Sequence, residues 1–248
     1  MSLLSEFNIQ LYSVRENTEK DFLGTLRKIS EIGYTGVEFA GYGGLSADEM
    51  RAALQDLGLK PVGSHVPLER LTGHLEEEIA YNKAIGTDYI ICPWADVKTR
   101  DDVLRLADTL NPVAEAVHKN GMGFAYHNHD HEFVKDADGV YLLDTLLANT
   151  DKHTVMAELD LYWISYANID PLPYLTRHAS RIKLLHLKQI KDARSKTCVD
   201  LPDGILNFYE LLTTALEQGV KHFILEQEEF AVDAYVSLQR GYDHIMSL

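Results

Sequence analysis

Short apolar runs recur along the chain, each ending in a polar residue and followed by a longer stretch with helical spacing. The runs cover residues 7–11, 36–40, 60–65, 89–93, 123–127, 155–160, 182–187 and 222–226. Short runs rich in Val, Ile, Leu and Phe predict parallel strands buried on both faces. The intervening stretches carry helix signals. Phe22, Leu23, Leu26 and Ile29 share one face of 21–32, and Gly33 follows as a stop. Ser46 precedes 47–57 with Glu49 three residues on, a capping box, and Gly58 ends that helix. A long amphipathic helix is predicted over 101–119, with Pro112 expected to kink or split it. Another runs over 207–218 and stops at Gly219.

Eight strand–helix units at roughly thirty-residue spacing predict a closed barrel, an α/β fold of the single (β/α)8 TIM type. An open doubly wound sheet would carry a glycine-rich phosphate loop after its first strand, and Leu11-Tyr12-Ser13-Val14-Arg15 is not one. The length of 248 residues suits one such domain over 1–248. The stretch 189–204 reads as a long loop over the barrel mouth or as a solvated surface loop.

The net charge of −15 disfavours nucleic acid and anionic membranes as partners. No apolar stretch is long enough to span a bilayer. Cys92 and Cys198 form no disulfide framework, and no leader pattern opens the chain, so a reducing, cytoplasmic setting is expected.

Candidate chemistry lies where the strands finish, because barrel enzymes place their sites at those ends. The finishing residues are polar: Gln10, Glu38, His65, Trp94 just beyond the fourth run, His127-Asn128-His129, Asp160, His186 and Glu226. Burying one such group costs several kcal/mol unless it is paired or metal-bound. Closure of a barrel would bring Asp160, His186 and Glu226 together as an O/N/O set for one divalent ion, with Mn, Zn, Co and Mg all compatible. The segment Tyr126-His127-Asn128-His129-Asp130-His131-Glu132-Phe133 offers two candidates for a fourth ligand, His127 and Glu132. The other of that pair, with His129, is expected to contact substrate, and His131 is expected to face solvent. Glu158 lies on the side of Asp160 one layer deeper, as a residue orienting a ligand or as a salt-bridge partner. His65, Glu38, Trp94 and Trp163 complete the expected substrate contacts, and Lys188 is expected to point to the mouth. No nucleophile elbow is present, and Cys92 reads as a core thiol.

With these residues in hand, the chain resembles the sugar phosphate isomerase/epimerase superfamily, with its xylose-isomerase-like fold. The resemblance rests on Ile9-Gln10-Leu11-Tyr12-Ser13-Val14-Arg15, Gly36-Val37-Glu38-Phe39-Ala40-Gly41, Tyr126-His127-Asn128-His129, Glu132-Phe133, Glu158-Leu159-Asp160-Leu161-Tyr162-Trp163, Leu185-His186-Leu187-Lys188 and Leu225-Glu226-Gln227. It covers essentially the whole chain. It implies Asp160, His186 and Glu226 as three of four metal ligands. The fifth strand departs from ketose 3-epimerases, which have a glutamate where this chain has His127, and is nearer to the inosose dehydratase branch.

The expected activity is proton abstraction beside a carbonyl that the metal polarises, on a small sugar or keto-sugar, giving isomerisation, epimerisation or dehydration. Glu226 or His127 is the candidate base, and Lys188 or His129 the acid partner. A non-catalytic sugar-binding barrel is the alternative of another class. Self-association into a homo-oligomer is compatible with each of these readings.

Overall fold

Polar caps start the helices and glycines stop them, as the spacing predicts. In the computed structural model, which describes residues 2–248, the Asp21 side chain accepts the Gly24 amide and the helix Phe22–Ile32 ends at Gly33. Ser46 and Glu49 form the reciprocal capping box ahead of Ala47–Leu57. The expected split at Pro112 does not occur: Arg100–Lys119 is one 20-residue helix. Its buried stripe of Leu106, Leu110, Val113 and Val117 anchors both halves, and this packing outweighs the roughly 3 kcal/mol that an internal proline costs.

The strands are β1 (Asn8–Gln10), β2 (Gly36–Phe39), β3 (Lys60–His65), β4 (Tyr89–Cys92), β5 (Gly123–His127), β6 (Val155–Asp160), β7 (Ile182–Leu187), β8 (Gln189–Ile190), β9 (Cys198–Val199) and β10 (His222–Leu225). Eight of them close into a parallel barrel in the order β1-β10-β7-β6-β5-β4-β3-β2. The fold is a single (β/α)8 TIM barrel.

The barrel interior is apolar low and polar high. Val62, Ile91, Ala125, Leu184 and Ile224 fill the lower layers. Two residues further along, β5 changes from Ala125 to His127 and β7 from Leu184 to His186, and the chain beyond β10 passes from Ile224 to Glu226. Strand alternation keeps each pair on one face, so the polar groups are forced inward together above a dry floor. The helical residues Leu26, Met50, Leu110, Leu146 and Leu212 belong to the larger cluster that surrounds the barrel.

The segment 189–204 differs from expectation. It folds into a hairpin of β8 and β9, and Ile190 and Cys198 pack with Tyr162 beside Trp163 and Tyr166. Those aromatic faces draw it against the barrel flank, and it does not line the cleft at the mouth. Among the described residues no helix is long and apolar enough to cross a membrane.

Candidate metal centre and substrate cleft

Register brings the site together. Asp160 lies beside His186, and His127 beside Glu158. Donor atoms of His127, Asp160, His186 and Glu226 all lie within 4.8 Å of one another, and all four residues are buried. His186 Nδ1 is 3.1 Å from Glu226 Oε2 and 3.9 Å from Asp160 Oδ2. Asp160 Oδ1 accepts the Trp163 amide at 3.0 Å, whereas Oδ2 is buried without a hydrogen-bond partner. An orphaned carboxylate oxygen facing an imidazole and a second carboxylate is the donor chemistry of a divalent-cation site. The residues present fit such an ion.

Electrostatics point the same way. Glu38, Glu158, Asp160 and Glu226 are all buried at this level, with Lys188 the permanent cation beside them. Burial pushes the Asp160 carboxyl up to about 7, with Lys188 opposing and Glu226 adding to the rise. Burial acts against charge on Glu226 too, but Lys188 and His186 outweigh it and hold this carboxyl well below its ordinary range. His186 is held well above the usual imidazole range by Glu158 and Glu38, against the effect of burial. Without an ion, protons on imidazoles balance the carboxylates. A bound divalent cation would replace that compensation.

A second layer lies beneath. Glu38 Oε2 is 2.7 Å from His186 Nε2, 3.1 Å from His65 Nε2, and accepts from Gln10 Nε2 at 2.7 Å. Glu158 Oε2 is 2.7 Å from His65 Nε2 and 3.0 Å from His127 Nδ1. His65, His127, Glu158 and His186 thus form an overlapping group of potential ligands. Gly63 makes room for it: a Cβ there would stand 2.4 Å from Glu38 Oε1. Burial would raise Glu38, but His65 and His186 outweigh it and keep Glu38 ionised. Burial and Glu38 likewise oppose ionisation of Glu158, and His186 with His65 bring it down to about 2. Glu38 therefore grips the His65 and His186 rings from below and does not line the cleft, where it was expected among the substrate contacts.

Other expectations need correction. Glu132 does not join the ligand group. It lies behind β5, accepting from Tyr126 Oη at 2.6 Å and from the His129 amide at 2.8 Å. The short helix His131–Phe133 carries it to the outer face, where Tyr126 is also buried. His131 is half-buried against the Ala95 carbonyl, at 3.0 Å, and does not face solvent freely. Lys188 does not open to the mouth: it pairs with Glu228 and lies over the Tyr162 and Trp163 rings, 4.8 and 4.6 Å from their centroids. The hairpin beyond β7 encloses that aromatic box, and cation–π contact favours the lysine inside it.

Other residues stand as the alternation predicts. His129 lines the cleft with its Nδ1 buried and unpartnered, and burial brings its pKa down to about 3. His127 is held well below the usual range, chiefly by burial. Ser64 turns away from the barrel axis to donate to Asn82 Oδ1 at 2.6 Å. Cys92 is a core thiol that burial pushes up to about 12.

The cleft above this centre has a volume of about 940 Å³. His65, His127, His129, Trp163 and Glu226 line one end, as does Glu228. Tyr12, Tyr42, Arg70, Glu77, Tyr81 and Trp94 line the rest. Except for Trp94 these last were not among the expected contacts. Tyr12 stands just past a strand end, a legible position, whereas Arg70, Glu77 and Tyr81 come from helices and carried no chemical signal.

A barrel with inward-facing acids and histidines at its carboxyl end is a TIM-barrel protein with a candidate metal centre. The chain belongs to the xylose isomerase-like TIM barrel family, whose model matches residues 26–242. It is similar to inosose dehydratase of Clostridium beijerinckii, 34% identical over 86 residues, 35% of this chain and 28% of that protein. It is 26% identical to inosose dehydratase of Geobacillus kaustophilus over 191 residues, 67% of this chain and 61% of that protein. The matched stretches thus cover less than two thirds of either enzyme. A sugar phosphate isomerase/epimerase of Parabacteroides distasonis superposes with a TM-score of 0.83 at 26% identity, covering 96% of both chains.

Proposed function

We propose that this protein is a divalent-metal-dependent enzyme that moves a proton at the carbon beside a carbonyl of a sugar or keto-sugar, as an isomerase or epimerase. The observation that carries this reading is the convergence of His127, Asp160, His186 and Glu226 beneath the cleft, with His127 and Glu226 reaching its lining. These four would hold the ion, with Glu38 and Glu158 fixing the rings from beneath. When bound, a divalent cation there supplies Lewis-acid polarisation of a substrate oxygen.

The chain's own groups have separable tasks. Glu226, ionised and reaching the cleft, is placed to accept the substrate proton. Lys188, 3.8 Å from its carboxylate and itself paired with Glu228, holds its charge and position. His129 stays neutral because burial opposes its protonation, so its free Nδ1 can accept a hydrogen bond from, or as the other tautomer donate one to, a substrate hydroxyl. Trp163, packed 5.2 Å from the His129 ring, walls the reacting end against water.

A second reading, dehydration of a keto-polyol, is favoured by the sequence relatives, which are named as dehydratases. There His129 would stand beside the departing hydroxyl. NMR of a keto-sugar panel in deuterium oxide with Mg²⁺-loaded protein separates the readings. Deuterium entering substrate carbon with retention of all hydroxyls supports isomerisation or epimerisation, and loss of water supports the lyase. Absence of both, or full activity in Asp160→Ala, overturns the proposal.

A further inference from the structure

The cleft is larger than one sugar ring needs, and it carries the wrong charge for a phosphate. Ligand pockets span roughly 300–1,000 Å³, and a single ring belongs at the low end of that range. The volume here, about 940 Å³, lies near the top. The added space runs away from Glu226, toward the loops that follow β1 to β4. Its walls are aromatic. Trp94 and Tyr12 are 51% and 44% exposed, both lining the cleft. Tyr42 and Tyr81 stack with centroids 4.1 Å apart. Their hydroxyls are tied down, Tyr42 to Glu78 at 3.0 Å and Tyr81 to the Leu45 carbonyl at 3.0 Å, so the two rings are set before any ligand arrives. Such surfaces bind the apolar faces of sugar rings while leaving hydroxyls wet.

Charge narrows the ligand further. The lining holds Glu77, Glu78, Glu226 and Glu228 against a single guanidinium, Arg70, which is itself paired with Glu77 and Glu78. Lys188 is enclosed and paired with Glu228. Arg15 is turned onto the Tyr12 carbonyl and ring. TIM barrels that bind phosphate do so in the loops after the seventh and eighth barrel strands, at the N-terminus of a short helix. Here the chain after β10 presents Glu226, Glu228 and Glu229, and the Gln227 amide is taken by Ser13 Oγ at 3.0 Å. The helix Ala234–Met246 that follows is already capped by Asp233. A phosphate dianion would meet carboxylates where it needs donors.

We infer that the substrate is an uncharged saccharide of two rings, its reacting carbonyl over Glu226 and His129 and its second ring held between Trp94, Tyr12 and the Tyr42–Tyr81 stack. The placement of the reacting end rests on the proton-transfer reading above. The size and neutrality of the ligand rest on the cleft alone.

Binding to the Mg²⁺-loaded protein tests this directly, by calorimetry together with saturation-transfer NMR. The probes are fructose, fructose 6-phosphate and three keto-disaccharides: maltulose, isomaltulose and lactulose. At least one disaccharide is expected to bind about tenfold more tightly than fructose, with saturation reaching protons of both rings. Fructose 6-phosphate is expected to bind more weakly than fructose. Trp94→Ala, at a side chain too exposed to threaten folding, should remove most of the disaccharide's advantage over fructose. The inference is overturned if fructose 6-phosphate binds as tightly as fructose, or if no disaccharide exceeds fructose. These outcomes do not depend on turnover. If no sugar exchanges deuterium yet a disaccharide binds as stated, the proton-transfer reading falls and the two-ring site stands. Exchange confined to phosphorylated sugars would have the opposite consequence.

Discussion

His186 Nε2 lies 2.7 Å from Glu38 Oε2, on the opposite side of the ring from the Nδ1 that faces Glu226. A ligand histidine whose second nitrogen is held by a carboxylate keeps one orientation and one tautomer, and loss of such a partner typically costs 10–100-fold in metal affinity. Glu38→Gln should therefore weaken divalent-ion binding by about 10–100-fold in a chelator competition assay. A change of less than twofold would show that Glu38 does not orient the ring.

Gly63 has a different reason to be small. A methyl group there would meet Glu38 Oε1 at 2.4 Å and Ile91 Cδ1 at 2.8 Å. Gly63→Ala should cost about 1–3 kcal/mol by overpacking. At about 2–4 °C per kcal/mol for a chain of this size, the melting temperature should drop visibly. In a Glu38→Ala background the same Gly63→Ala change should cost much less, since the two sites share one space, although Glu38→Ala alone destabilises by unpairing His65 and His186. Strict additivity of the two losses would refute the steric account.

The fourth ligand separates two neighbouring residues. His127→Ala should lower the affinity for the ion, because its ring belongs to the ligand group. Glu132→Gln should leave metal stoichiometry at the wild-type value while destabilising the fold by about 1–3 kcal/mol, since the carboxylate accepts two buried hydrogen bonds. Metal analysis with thermal melts checks both, and loss of metal in the Glu132 variant would reverse the assignment.

The ring of His65 links stability to pH. In the metal-free protein, burial opposes its protonation, but Glu38 and Glu158 outweigh this and raise it from 6.5 to about 10. The folded state then keeps a proton that the unfolded chain releases above 6.5. The resulting stabilisation is complete below that pH and drains away as pH rises through 10. Melting temperatures of metal-free protein between pH 6 and 10.5 should fall more steeply for wild type than for His65→Gln. Parallel curves would contradict the charge network.

Enclosure of Lys188 gives its charge a structural role. It is 1% exposed and pairs with Glu228 beside Glu226. Lys188→Met would leave Glu226 without its compensating charge, and breaking a buried pair costs about 3–5 kcal/mol. The variant should melt markedly lower and lose activity even when folded, which circular dichroism and the deuterium assay together would resolve. Unchanged stability would mean that the carboxylates do not depend on it.

Much of this molecule is written locally. Alternation and short apolar runs mark all eight barrel strands to within a residue or two, because a strand buried on both faces must be apolar along its length. Caps such as Asp21 and Ser46 mark helix starts, because the first amides of a helix need an acceptor nearby in the chain. The polar strand ends stood out for the same reason: nothing but a partner, a ligand or a reaction tolerates His186 or Asp160 at a position where the pattern demands Leu.

What the residue order left open was settled by closure and register. Whether His127 or Glu132 turns inward depends on where β5 ends and on a single short helix after it, a matter of a few backbone angles. That Glu38 meets the His186 ring from beneath follows from a distance between residues 148 positions apart. The cleft is assembled from side chains on separate loops, whose lengths and packing no local pattern records. Lys188 showed why direction along a strand is insufficient: it leaves β7 on the expected side, but aromatic faces and Glu228 then capture it. Local chemistry selects elements one at a time, whereas a site is made of distances between them, and only the closed barrel sets those.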